Sequence, residues 1–215
     1  MPSAVRTFSI FWRDLLTRLV THILYYPYLV RYYLFRRARP RRLHVGCGTV
    51  RFPGWINADI NPSAELIIFL QKHLPFPSDY LERIYSEHVF EHLKYAEGVN
   101  FLKEAHRVLV PGGVIRIAMP DLDDLIDGYR NDWRRLDWVN WPQFSFIRTR
   151  AEMINMAFRG WGHQHLYNRE ELARALERAG FSSFCFTENA KSQHADLQGL
   201  ETRRDSKLIV EATKI

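Results

Sequence analysis

Three groups of residues in this 215-residue chain have types and spacings that chemistry uses. The first is Gly46-Cys47-Gly48, directly after the apolar run "LHV", with Asp59 closing the next run, "INAD". Glycine at the end of a strand lets the backbone turn sharply and lets a ligand approach with no Cβ between. A carboxylate ending the second strand of an open α/β sheet is placed to accept from two ribose hydroxyls. Together they predict a nucleoside-type cofactor lying across the first two strands. The pattern is not the dinucleotide fingerprint G-x-G-x-x-G, because Arg51 stands where the third glycine belongs.

The second group holds the candidate proton acceptors. His88 and His92 lie in "SEHVFEHL", His163 and His165 in "GWGHQHLY", and Asp121 in "MPD". Histidine is the natural base near neutral pH. Asp121 has two readings, a carboxylate facing an acceptor or the N-cap of the "LDDLIDGY" helix. His92 reads first as part of a helix turn.

The third is "HVFEH" (88–92), which fits H-x-x-E-H, a pattern in which two histidines on one helix face bind zinc and the glutamate activates water. Glu170 or Glu171 is the candidate third ligand. That motif needs a long helix, and here it follows directly on the β-like "RIYSE". The metallopeptidase reading therefore ranks last, and no metal ligand is expected.

Alternating elements must position these residues. β-like runs fall at 43–46, 55–60, 83–88, 113–120, 181–188 and 206–213, with a weaker one at Leu66–Leu70. "GVNFLKEAHRVL" (98–109) puts Phe101, Leu102, Ala105, Val108 and Leu109 on one helical face. "NREELARALERAG" (168–180) starts with an Asn cap and stops at Gly180. Strands alternating with helices predict a parallel or mixed α/β sheet covered on both faces. Only about seven residues (49–55) link the first two strands, where a parallel crossover commonly needs a dozen or more. The first helix is therefore expected to shrink to a turn.

Composition sets the outer bounds. The chain is 47% apolar and 25% charged, which excludes a disordered chain. Cys47 and Cys185 are the two cysteines, too few and too far apart for a disulfide framework, so a reducing cytoplasm is expected. Residues 1–42 carry nine arginines and one acid, which puts the basic charge in an N-terminal extension ahead of a domain over 43–215. "LVTHILYYPYLVRYYLF" is interrupted by His22, Pro27 and Arg31. It falls short of the roughly 20 apolar residues of a membrane-spanning helix. Tyrosines beside arginines suit an anionic membrane interface. Packing on the domain, or on a second copy in a homodimer, is the other reading. The acidic remainder offers no continuous basic track, so nucleic acid is not an expected partner.

Taken in order, "LHVGCG", "PGWINADI", "LPFP", "YSEHVFEHL" and "RVLVPGGVIRIAMPDL" resemble the class I S-adenosylmethionine-dependent methyltransferases, and most of all a small bacterial branch of them. The resemblance covers about 43–213. It implies a Rossmann-like, seven-stranded, mostly parallel sheet sandwiched by helices, here with a basic aromatic helical extension at the N-terminus. It implies S-adenosyl-L-methionine as cofactor, with Gly46, Cys47 and Gly48 at its methionyl part and Asp59 on the ribose. Ile60, Phe69 and Leu70 would flank the adenine, with Phe69 where an acid is usual. Ser86, Glu87 and His88 would border the adenosine and the reacting methyl.

The expected activity is methyl transfer in the cytoplasm, peripheral to the inner membrane, to a small-molecule or glycan acceptor. A sugar hydroxyl on a glycan or lipid-linked intermediate is the first choice. The segment 131–161 holds four of the six tryptophans and reads as a lid over the acceptor or as a satellite apolar cluster. The rival to an enzyme is a non-catalytic cofactor-binding or membrane scaffold.

Overall fold

A computed structural model describes residues 41–215. The expected extension over residues 1–42, with its helical, membrane and dimer readings, lies outside the described residues except for Arg41 and Arg42. Seven strands are β1 (Arg42–Val45), β2 (Ile56–Asp59), β3 (Leu66–Ile67), β4 (Leu81–Glu87), β5 (Leu109–Met119), β6 (Ser183–Thr187) and β7 (Leu208–Thr213). The helices are α1 (Tyr95–Val108), α2 (Leu122–Arg130), α3 (Arg150–Asn155) and α4 (Arg169–Ala179).

The strands form one sheet in the order β3-β2-β1-β4-β5-β7-β6. All pairings are parallel except those of β7, which runs antiparallel to β5 and β6. The chain steps outward from β1 to β2 and β3, then returns to place β4 on the other side of β1. That reversal opens a crevice beyond the carboxyl ends of β1 and β4, where ligands of open α/β sheets bind.

The main core lies between one sheet face and helices α1 and α4. Phe101, Leu102, Ala105 and Val108 of α1 are buried there, as the spacing predicts, beside Leu172, Ala175 and Leu176 of α4. α1 starts earlier than its apolar pattern, at Tyr95, because Glu97 returns a side-chain bond to the Lys94 amide and closes the first turn. β5 likewise begins before Gly113 and runs through Pro111 and Gly112. α4 has the expected ends: Asn168 accepts from the Glu171 amide, and Gly180 stops the helix at φ +99°. No helix forms between β1 and β2, and the link is a series of turns.

On the opposite sheet face a smaller cluster gathers Trp55, Tyr85, Val114 and Leu197, with Phe52 and Leu200 packed against it. Arg116 of β5 is fully buried on this face and paired to Glu201 and Glu211. A third cluster stands apart: Leu125, Trp133, Leu136, Trp138, Phe144, Met153 and neighbours form the interior of the excursion between β5 and α4. The satellite-cluster reading of 131–161 therefore describes its interior. Among the described residues no helix is long and apolar enough to cross a membrane.

Candidate active site

The crevice starts with the turn after β1. Gly46 has φ +66°, and a Cβ there would fall 2.0 Å from Cγ2 of Val89. The turn after β1 thus presses on the turn after β4, and only glycine fits. Gly48, at φ +51°, faces open space. Its amide donates to Oδ2 of Asp59 at 2.8 Å, and the Asn61 amide donates to Oδ1 at 2.9 Å. Each carboxylate oxygen accepts one main-chain bond here and has room for another.

Arg51 folds back over the turn. Its Nη1 donates to the carbonyls of Gly48 and Val50 at 2.8 and 2.9 Å, and its Nη2 to that of Ser63 at 3.2 Å. This bracing replaces the missing helix. Cys47 is buried, and burial pushes its thiol up to about 11, so it stays protonated at neutral pH. Ile60 is exposed just beyond β2, while Phe69 is half-buried and Leu70 buried beyond β3.

β4 ends in Ser86 and Glu87, and His88 follows directly. The Ser86 hydroxyl is buried without a hydrogen-bond partner among the described residues. Glu87 accepts from the Thr202 and Arg203 amides and from the Thr202 and Ser206 hydroxyls. Burial alone would raise this carboxyl, but those bonds outweigh it and hold it below the ordinary carboxylate value. Glu87 therefore clamps the segment before β7 against the end of β4. His88 takes a left-handed backbone, φ +52°, rare for a residue with a side chain and a form of strain that gathers at functional sites. Its ring stands 3.1 Å from the Ser206 hydroxyl and 3.3 Å from Oε1 of Glu91.

Beyond His88 opens a cavity of about 280 Å³. His88, His92 and His163 line it, with Pro120 and Asp121 just past the end of β5 and Trp138, Trp141 and Trp161. Arg203, Asp205 and Lys207 complete the rim. Asp121 caps α2 by accepting from the Asp123 amide at 2.9 Å, and it also lines the cavity. Burial raises its carboxyl above the usual range.

His163 reaches this wall through the main chain. The amides of Gln164 and His165 both donate to the carbonyl of Glu91, at 2.8 and 3.2 Å. This ties the "GHQH" segment to the short 3-10 turn Phe90–His92. A π-helical turn, Met156–Gly160, precedes it, and Nδ1 of His163 bonds the Ala157 carbonyl at 2.6 Å. π-turns are frequent at functional sites. Burial lowers the affinity of His163 for a second proton.

His165, one of the predicted bases, does not line the cavity. Its ring packs against Tyr95 and Tyr167, with Nε2 3.5 Å from Glu171. The peptidase geometry is also absent: "HVFEH" holds a three-residue turn instead of a long helix, and Glu171 faces His165 and Arg174. Sequence reasoning missed Glu91 as the hub of this wall, along with Arg203, Asp205 and Lys207. H-x-x-E-H was the available signal for Glu91, and nothing local linked it to residue 164.

A family model described as a methyltransferase domain matches residues 27–183. No curated protein matches the sequence. Among solved structures, the fold is similar to a SAM-dependent methyltransferase from Archaeoglobus fulgidus, at 16% identity and TM-score 0.53, with 92% of this chain and 94% of that chain covered. It is also similar to a Thermotoga maritima protein described as a SAM-dependent methyltransferase, possible histamine N-methyltransferase, at 14% identity and TM-score 0.51, covering 97% and 98% of the two chains. A Bordetella parapertussis protein described as a possible exported protein matches at 14% identity and TM-score 0.50 over 86% of this chain, which spans 65% of that one. At these identities the likeness is one of fold.

Proposed function

Because the chain belongs to the methyltransferase domain family and is an S-adenosylmethionine-dependent enzyme of class I, we propose that its acceptor is a sugar hydroxyl, on a glycan or a lipid-linked intermediate, bound in the cavity beside His88. One observation carries this reading. The cavity lies directly past the end of β4, and Trp138, Trp141 and Trp161 are among its lining residues, aromatic side chains of the kind on which a sugar ring stacks.

The residues of the crevice fit the cofactor. Space is open above Gly48, and Asp59 retains acceptor capacity on both oxygens for a ribose diol. S-adenosylmethionine supplies an electrophilic methyl group on a sulfonium. In this reading Gly46, Cys47 and Gly48 border its methionyl part, and Ile60, Phe69 and Leu70 its adenine. Ser86 and the Glu87 main chain lie along the adenosine. His88 takes the acceptor's proton, while Asp121 and His163 orient the acceptor; His165 supports the wall from behind. Much of the acceleration comes from holding the acceptor oxygen in line at near-attack distance, and the tryptophan wall excludes water.

The arm, residues 1–42, is proposed to meet an anionic membrane surface through its arginines, which would bring the domain over 43–215 to a lipid-linked acceptor in the cytoplasm. Deleting residues 1–35 then abolishes vesicle binding and leaves cofactor affinity unchanged. A truncated chain that fails to fold, or that only loses a dimer, refutes the membrane role.

The acceptor is tested with methyl-labelled S-adenosylmethionine against sugar, lipid-linked glycan, amine and nucleic-acid pools. Label in the sugar-containing pools supports the proposal, and label confined to the amines or nucleic acid overturns it.

A further inference from the structure

Behind the cavity wall lies a carboxylate that the methyl-transfer chemistry leaves unexplained. Glu91 is fully buried, and neither of its carboxylate oxygens has a hydrogen-bond partner among the described residues. A buried carboxylate is costly unless it is paired or bound to a cation. Two imidazoles stand near Oε1, at 3.3 Å for Nδ1 of His88 and 4.0 Å for Nε2 of His163, and neither makes a hydrogen bond to it.

Glu91, His92 and His163 each offer one ligand atom, and the three atoms all lie within 4.8 Å of one another. The orientation of His163 is fixed. A carbonyl only accepts, so Nδ1 of His163 must donate to Ala157 at 2.6 Å. That leaves the lone pair on Nε2, the atom turned toward Glu91. Metal-binding histidines are set in this way, with the far ring N–H held by a carbonyl or carboxylate. The two main-chain bonds from Gln164 and His165 to the Glu91 carbonyl hold the histidine segment over the turn. The His92 ring meets that of His163 edge to face at 4.9 Å between centroids.

We propose that Glu91, His92 and His163 bind one divalent transition-metal ion, with its open coordination positions directed into the cavity that His92 and His163 line. Two imidazoles and one carboxylate suit zinc, manganese or iron(II) better than magnesium or calcium, which favour all-oxygen sites. Three protein ligands leave room for an exogenous oxygen. This site differs from the peptidase reading of "HVFEH", in which His88 and His92 share a helix face: here His163, 71 positions after His92, replaces His88. The consequence for the acceptor, a hydroxyl-bearing molecule that coordinates the ion, rests on the proposed function above; metal binding does not.

The test uses the full chain, stripped with a chelator and titrated calorimetrically with zinc and, separately, with manganese. One equivalent of either is expected to bind, and cobalt(II) substitution should give the visible absorption of a low-coordinate nitrogen–oxygen site. His163→Gln and His92→Gln should each weaken binding by at least about tenfold. Glu91→Gln should do the same, but its burial threatens folding, so circular dichroism accompanies it and the histidine variants carry the test. No binding of either metal, or unchanged stoichiometry and affinity in the folded His92→Gln/His163→Gln double variant, overturns the proposal. S-adenosylmethionine affinity of the stripped chain and sugar methylation by the double variant are measured separately. Sugar methylation without metal binding sinks the site and spares the acceptor; metal binding without sugar methylation does the reverse.

Discussion

The amide of Gly48 and the carboxylate of Asp59 are joined at 2.8 Å, so the turn after β1 and the acid that ends β2 form one rigid rim. If that rim grips the ribose, Asp59→Ala weakens S-adenosylmethionine binding by about 1.5–3 kcal/mol, the range for hydrogen bonds to a charged group. Asp59→Asn, which keeps an acceptor for the Gly48 amide, loses less. Calorimetric titration of both variants checks this, and unchanged affinity in Asp59→Ala rules out the ribose role.

Gly46→Ala introduces a methyl group into the space of Val89 and forces φ +66° on a residue with a Cβ. A loss of about 1–3 kcal/mol in unfolding free energy is expected from the overpacking. Val89→Ala in the same background should recover part of it, because it relieves the clash and leaves the backbone strain. Denaturant midpoints of the single and double variants measure the two contributions.

Asp121 separates into a cap and a cavity carboxylate by choice of substitution. Asp121→Asn keeps the bond to the Asp123 amide and should leave stability nearly intact while lowering turnover. Asp121→Ala should cost about 1 kcal/mol of stability in addition. Equal turnover in wild type and Asp121→Asn would leave Asp121 a cap alone.

Acid loosens the Glu87 clamp in a predictable direction. Its carboxyl sits below the ordinary value in the folded chain, so the folded state favours the charged form. The stabilisation is complete above the unfolded value of about 4.3 and is lost as pH falls through the folded value. Hydrogen exchange at residues 202–206 should therefore accelerate on acidification. Glu87→Gln should exchange fast at neutral pH already and respond less to acid.

Arg116 is fully buried with two carboxylates, Glu201 at 2.6 Å and Glu211. Arg116→Met leaves both uncompensated and should destabilise by about 3–5 kcal/mol. Replacing all three residues by apolar side chains of similar volume should recover most of that loss. Urea titration of the single and triple variants decides it.

The sheet and the rim that joins Gly48 to Asp59 were legible because their signals are local. Alternating apolar runs gave the strands, the short 49–55 link predicted a turn in place of a helix, and Asn168 and Gly180 marked both ends of α4. Glycine and aspartate at strand ends were readable from their types alone. The wall of the cavity was not. Its organising bonds join Glu91 to Gln164 and His165, and Glu87 to Thr202 and Ser206, across 73 to 119 positions of sequence, and periodicity carries no trace of such pairs. For the same reason His163 and His165 looked equivalent in "GHQH", although one reaches the cavity and the other stacks on tyrosines behind it. Arg116 was read only as a strand residue, since its partners lie in the last third of the chain.

The excursion between β5 and α4 has its own apolar interior, from Leu125 to Leu166, distinct from the main core. His163 is held at two points, by the tether of its segment at the Glu91 carbonyl and by its own bond to the Ala157 carbonyl. The stretch ahead of Met156 can therefore vary in length while both anchors of the histidine stay on station. The scaffold divides the labour between a replaceable glove and a fixed hand.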